Sequence, residues 1–260
     1  TRTAMRKRIS PAERRHMDYL RKKGLLIGKA YENRLLKLRR KEVRRVLDLC
    51  MDYHNPMSWS AVIEQNLDES YLDKWFQGLY IEAGLPRAKS VARDMNRAKA
   101  ADDEGYWEQE LLRYANQRAG ENIVLVQNTL RDNLIEIVRK TMESDTQMGI
   151  EKLARSILKG YGDIALWQAR RIAQTEAMIS LADAGDIAAR SLEIPFVKTW
   201  AVSGLGNTRD SHMAMDGMTV EDDEPFQLID CQMMYPHDGS MGAPAGEIIN
   251  CACDCIRRPK

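Results

Sequence analysis

The sequence predicts an α+β protein: a mostly helical N-terminal region, then a small α+β C-terminal domain with a few antiparallel strands. Three observations carry this. Apolar residues recur every three or four positions from about residue 20 to about residue 191. At Pro195 the texture changes, and Phe196-Val197-Lys198-Thr199-Trp200-Ala201-Val202 alternates with β character. A last alternating run covers Glu247 to Ile256, after a stretch rich in glycine, proline and aspartate. With 260 residues, 44% of them hydrophobic, the chain can bury one sizeable core or two smaller ones. The segments expected are a basic helical arm over 1–50, a helical region over 51–144 and a C-terminal domain over 145–260, with strands confined to positions after about 195.

Ser10-Pro11-Ala12-Glu13 reads as a helix start, with Ser at the N-cap, Pro at N1 and Glu at N3. Leu20, Gly24, Ile27, Tyr31, Leu35 and Leu38 then form a narrow stripe, which should lie against a partner helix or another subunit. Gly24 and Gly28 weaken the helix locally. Asn55-Pro56 marks a break. Trp59, Val62, Ile63, Tyr71, Leu72, Trp75, Phe76, Leu79 and Tyr80 follow as an aromatic-rich helical segment, a pattern that belongs in a core. Gly84-Leu85-Pro86 should interrupt it, and the polar stretch Ala100 to Gly105 should separate the next helices. Ile123, Val126, Leu130, Leu134, Ile137 and Met142 keep helical spacing up to Ser144-Asp145-Thr146. Leu153, Ile157 and Leu158 suit a short helix ending at Gly160-Tyr161-Gly162. Asp163 should then cap a long helix reaching about Ser191.

Charge is distributed unevenly. Residues 1–45 hold 17 Lys and Arg against four acids, while the rest of the chain is net acidic. Arg6, Lys7, Arg8, Arg14, Arg15, Lys22, Lys23, Arg39, Arg40, Arg44 and Arg45 make a partner-binding arm for a polyanion or an acidic protein surface; a solvated helical face is the alternative. Such an arm should be removable without unfolding the C-terminal domain. No run approaches the roughly 20 apolar residues of a membrane helix. The basic N-terminus lacks the apolar core of a secretory signal, so the protein is expected to act where it is made, or to be packaged from there. No nucleophile motif, phosphate-binding loop or dinucleotide fingerprint is present, and no residue is assigned a catalytic role.

Four of the five cysteines, Cys231, Cys251, Cys253 and Cys255, fall in the last thirty residues; Cys50 is the fifth. An odd count in a chain of this length does not read as a disulfide framework. On a strand, Cys251, Cys253 and Cys255 would share one face. A Cys-x-Cys pair supplies two thiolates to Zn2+, which His212 and His237 can complete. The alternatives are buried free thiols and a disulfide to Cys231. Glu176, Arg209, Asp210, His212 and Asp216 suit either an acid–base or metal-hydrolase site, or a buried network that fixes long loops beside the Trp200 strand. Within that network Arg209 is the expected bidentate partner of Glu176.

The order of these pieces is itself informative. Arg170-Arg171-Ile172-Ala173-Gln174-Thr175-Glu176 is followed by Lys198-Thr199-Trp200 and Thr208-Arg209-Asp210-Ser211-His212. Then come Met215-Asp216-Gly217, Asp223-Glu224-Pro225-Phe226, Tyr235-Pro236-His237-Asp238 and Asn250-Cys251-Ala252-Cys253. Over about residues 145–258 this succession resembles the phage Mu F-like minor head proteins. Their pattern runs Arg…Ile-Ala-Arg-Thr-Glu, Lys-x-Trp, Thr-Arg-x-x-His, Asp-Gly, Phe, Pro-Gly-Asp and Asn-Cys-Arg-Cys. Here Gln174 stands for the usual Arg, His237 for Gly, Ala252 for the Arg between the cysteines, and Cys255 is extra. The resemblance implies a non-enzymatic head-morphogenesis protein in the head interior at the portal vertex of a virion, present in host cytoplasm during assembly. Its implied partners are the portal protein, packaged double-stranded DNA, and capsid or scaffold. The competing reading is a zinc-dependent hydrolase or nuclease built on His212, His237 and the cysteines.

Overall fold

The computed structural model of the protein describes residues 5–53, 55–68, 70–95, 104–144, 149–203 and 208–260, without the side chains of 121–127 and 163. Strand β1 (Met5–Arg6) leads into α1 (Pro11–Asp52), a short α2 (Trp59–Asn66), α3 (Tyr71–Met95), α4 (Glu104–Ser144) and α5 (Ile150–Ser191). The C-terminal part then adds β2 (Phe196–Ala201), α6 (Asp210–Met215), β3 (Met218–Glu221), β4 (Phe226–Gln227), β5 (Gln232–Met233), α7 (Ala245–Ile248) and β6 (Asp254–Pro259). The chain is therefore mostly helical with a small antiparallel sheet, as its periodicity predicts. The sheet order is β1-β3-β2-β6, and β4 pairs with β5 as a separate ribbon.

The start of α1 is the reciprocal cap that its sequence spells. The Ser10 N–H donates to Glu13 Oε2 at 2.8 Å, and the Glu13 N–H donates to Ser10 Oγ at 3.2 Å. Elsewhere packing overrides local signals. α3 runs straight through Gly84-Leu85-Pro86. Pro86 forfeits one intrahelical bond, but a Cβ on Gly84 would come within 2.7 Å of Leu111, so the glycine is there for close packing and not as a break. α5 likewise continues through Gly160-Tyr161-Gly162, with Tyr161 buried, and Asp163 lies within a helix it was expected to cap. The boundary expected at Ala100–Gly105 falls mostly outside the described residues, although Glu104 already begins α4. Asp145 and Thr146 also lie outside them.

Two expectations about strands need correction. Strands are not confined to positions after 195: Met5 and Arg6 pair antiparallel with Thr219 and Met218, covering an edge of the C-terminal sheet. The run Glu247–Ile256 is not one strand. It begins in α7 and turns at Asn250, whose φ is 57°, and only Asp254 onward joins β2. Cys251 and Cys253 thus precede the strand that contains Cys255.

The chain divides into two compact units that do not follow the linear segments 1–50, 51–144 and 145–260. The first comprises Thr1–Lys29, Gln77–Tyr114 and Ala173–Lys260. Its core gathers Trp200, Phe226, Met233, Tyr235, Cys251, Cys253 and Cys255. α1 crosses α5 closely there, because a Cβ on Gly28 would lie 3.2 Å from the Ala173 carbonyl oxygen and from Gln174 Cα. Polar ties fix the rest: Arg87 to Asp254 at 2.9 Å, the Tyr235 hydroxyl to Asp183 at 3.1 Å and the Trp107 indole N–H to Ser191 at 2.8 Å.

The second unit comprises Ala30–Phe76 and Ala115–Ile172. Tyr31, Leu35, Trp59, Ile63, Trp75, Phe76, Leu130, Leu134, Leu153 and Ile157 are buried there. The Trp75 indole N–H donates to the Tyr31 carbonyl at 3.0 Å, and the two rings meet edge to face at 5.7 Å. The α1 stripe, expected to seek another subunit, is covered by its own chain: Leu20, Tyr31 and Leu35 are buried, Ile27 and Leu38 half-buried. Residues 1–50 are therefore not a detachable arm.

Candidate metal centre

His212 sits on α6, a turn and a half long, which follows the loop after β2. Its ring is buried edge to face against Trp200, with centroids 5.2 Å apart. Cys251 and Cys253 arrive on the extended segment between α7 and β6. Asn250, among the residues that best tolerate a left-handed backbone, makes the turn before them. Its N–H donates to Thr175 Oγ1 at 3.3 Å, which ties the segment to α5.

These elements bring His212 Nδ1, Cys251 Sγ and Cys253 Sγ within 4.8 Å of one another, all three residues buried. Nδ1 lies 3.5 Å from each sulfur. A tetrahedral ion with bonds of about 2.3 Å to sulfur and about 2.0 Å to nitrogen sets those atoms about 3.5 Å apart, so the spacing fits a common metal. The His212/Cys251/Cys253 group can bind a metal ion. A cavity of only about 20 Å³ adjoins it, lined by residues including Ser203, Thr208, Arg209 and Asn250.

The local electrostatics suit cation binding. A hydrogen bond from the Cys253 thiol, above all, and the imidazoles of His237 and His212 hold the Cys251 thiol well below its ordinary pKa despite its burial. Cys253 is pushed up in turn, because its proton is the one shared with Cys251. On the far side of the ring, His212 Nε2 lies 2.7 Å from Glu247 Oε2. The Nε2–H points off the line between them, so this is a close polar contact and not an aligned hydrogen bond. With the proton on Nε2, the Nδ1 lone pair faces the thiols and can ligate an ion there. The Ser211 hydroxyl donates to the same carboxylate oxygen at 3.0 Å and steadies it.

Of the four ligands expected, the structure thus gathers His212, Cys251 and Cys253. His237 is buried beside them and contacts the Cys253 carbonyl oxygen through Nε2 at 3.1 Å. Cys255 packs into the core on β6, and Cys231 is a half-buried free thiol, so the disulfide alternative is not realised. Glu247 and Ser211 were not singled out from sequence. The only signal was an acid a few residues before Asn-Cys-x-Cys, and its bearing on His212 depends on a contact 35 positions away in the chain.

The expected loop-fixing network forms differently. Glu176 and Arg209 do not pair with each other. Glu176 accepts from the Tyr80 hydroxyl at 3.2 Å, and Arg209 donates to the Ile249 carbonyl at 2.6 Å. Arg209 therefore braces the segment that delivers the cysteines. Asp216 accepts the Val202 N–H at 3.0 Å and an Arg14 N–H at 2.5 Å, joining the end of β2 to α1. Asp210 is exposed and takes no part.

The basic residues of α1 and β1 divide similarly. In the first unit Arg6 donates to the Ala214 carbonyl at 3.0 Å; Lys7, Arg8, Arg15 and Lys22 are exposed, and Lys23 is half-buried. In the second, Arg39 is buried and donates to Gln168 at 3.4 Å, while Arg45 pairs with Glu42 at 2.6 Å. Arg40 and Arg44 stay exposed and, with Lys37 and Lys41, line a shallow groove of about 720 Å³. Among the described residues no helix is long and apolar enough to cross a membrane. Compared with family models, curated proteins and solved structures, the chain finds no match.

Proposed function

We propose that this chain is a minor head-morphogenesis protein of a tailed bacteriophage, acting at the portal inside the head, and that the ion held by its candidate centre is zinc in a structural role. The observation that carries the reading is the packing of the motif residues that resemble the Mu F-like pattern. Trp200 lies edge to face on His212, and Asp216-Gly217 makes the turn beside it, with Gly217 at φ 77°. His237 has φ 75° at the position where the pattern carries glycine, a backbone angle that glycine adopts freely.

Zinc is favoured by two thiols and an imidazole at tetrahedral spacing. A structural role is favoured over the hydrolase reading because the donors are buried and the adjoining cavity of about 20 Å³ has room for about one water. A catalytic ion needs an open coordination position that substrate can reach. The groove of Lys37, Arg40, Lys41 and Arg44 supplies the surface for phosphates of packaged DNA or for acids on the portal.

A reconstruction of the head vertex without imposed symmetry, compared between phage with and without this chain, tests the assignment. Difference density at the portal is the expected result; unchanged density there would overturn it. Elemental analysis of the purified chain should find about one zinc per molecule, and hydrolysis of nucleic acid by the zinc-loaded chain would favour the enzyme instead.

A further inference from the structure

We propose that His237 is the fourth ligand of the centre, closing it as a two-cysteine, two-histidine site; this rests on the zinc reading above. His237 is 2% exposed. When its Nε2–H donates to the Cys253 carbonyl, at 3.1 Å, the proton is on Nε2 and Nδ1 carries the lone pair. That Nδ1 is buried without a well-aligned hydrogen bond, its neighbour being the Cys251 thiol; it stands outside the trio of donors within 4.8 Å of one another, so it must move toward an ion to ligate it. An orphaned buried acceptor is costly, so it calls for a partner such as a cation. The ring lies beside Cys251, in side-chain contact with it.

The backbone supports the same assignment. His237 holds φ 75°, a left-handed conformation strained for a residue other than glycine. The surrounding loop enforces it. Asp238 accepts the Met234 and Ser240 N–H groups at 3.0 and 2.9 Å, and the Tyr235 hydroxyl anchors to Asp183 at 3.1 Å. Glycine would relieve the strain, so an imidazole kept there has work to do. As a ligand, it joins the loop before α7 to α6 and to the segment leading into β6. One ion then clips three stretches of chain together.

The test compares the full chain with His237→Gly, each with and without zinc. Metal-free, the variant should be as stable as the parent or more so, because the left-handed strain is gone. With zinc the order should reverse, and zinc affinity should fall by about 10- to 100-fold. The cobalt-substituted parent should show the visible bands of a tetrahedral sulfur–nitrogen site, and the variant should keep its thiolate charge-transfer bands while the visible bands weaken or shift. A variant that gains stability equally with and without zinc, at unchanged affinity and spectrum, would remove His237 from the site and leave the three-ligand zinc reading standing. A parent that binds no zinc would defeat both. Should the variant fail to fold, zinc-edge absorption of the parent decides, since scattering from one imidazole and not two overturns the proposal.

Discussion

Glu13 and Arg258 stand 245 positions apart in sequence and meet with Arg258 Nη2 2.6 Å from Glu13 Oε1. The contact joins the first turn of α1 to β6, the last strand. Burial opposes ionisation of Glu13, but the Ser10 N–H and hydroxyl and the Arg258 guanidinium outweigh it and hold the carboxyl below its ordinary value. A carboxyl lowered on folding stabilises the fold above its unfolded pKa. That contribution should be complete above the ordinary 4.5 and disappear as pH falls through the lower folded value. Glu13→Ala removes the cap and the ion pair together and should cost about 1–2 kcal/mol in urea unfolding. A double-mutant cycle with Arg258→Ala should return a coupling of about 0.5–1 kcal/mol, and zero coupling would mean the pair does not hold the two ends.

At Gly28, α1 packs directly against the backbone of α5. Alanine there gains helix propensity of about 1 kcal/mol but places a methyl against the Ala173 carbonyl and Gln174 Cα, both backbone atoms with little freedom to yield. The expected net effect of Gly28→Ala is a loss of about 1–2 kcal/mol. Gly162, inside α5, where a Cβ would meet nothing within 4 Å, is the control and should gain stability from the same substitution. Equal responses at the two positions would refute the close crossing.

Lys198 on β2 is fully buried, with its ammonium donating to the Asp222 carbonyl at 3.1 Å. Burial pushes its pKa down to about 8. A lysine lowered on folding burdens the fold while it is charged, and the burden lifts as pH rises from the folded value toward the unfolded 10.5. Lys198→Met should therefore stabilise the protein near pH 7, by about 1–2 kcal/mol after the lost hydrogen bond. The advantage over wild type should shrink between pH 8 and 10 in thermal melts. A difference independent of pH would show that Lys198 is not held against its charge.

Replacing Lys37, Arg40, Lys41 and Arg44 with glutamine should weaken binding to duplex DNA without disturbing the fold, because all four are exposed. If each contacts one phosphate, the slope of log affinity against log salt should flatten by about 3–4. An unchanged slope in filter binding would move the polyanion contact off this groove. Deleting residues 1–45 is not an equivalent experiment, because it removes β1, the capped start of α1 and the Gly28 crossing; that truncation should unfold the first unit.

The sequence by itself determined the helical periodicity, the cap at Ser10 and Glu13, the change of texture at Pro195, the core identity of Trp59, Trp75 and Phe76, and the grouping of His212 with Cys251 and Cys253. These are legible because spacing along a helix or strand maps directly onto a face, and because cysteines two apart cannot help lying close together. Tertiary structure decided the rest. Whether Gly84-Leu85-Pro86 or Gly160-Tyr161-Gly162 breaks a helix depends on what packs there: propensity is worth about 1 kcal/mol for glycine and about 3 for proline, and buried neighbours outweigh it. Opposite charges in shared motifs point Arg209 to Glu176, yet Arg209 bonds the Ile249 carbonyl and Glu176 the Tyr80 hydroxyl. The basic stretch looked like a free arm because charge is visible in a sequence. What was not visible was that on the same helix Gly28 packs against α5 and Tyr31 against Trp75 of α3, so that α1 is built into the folded chain.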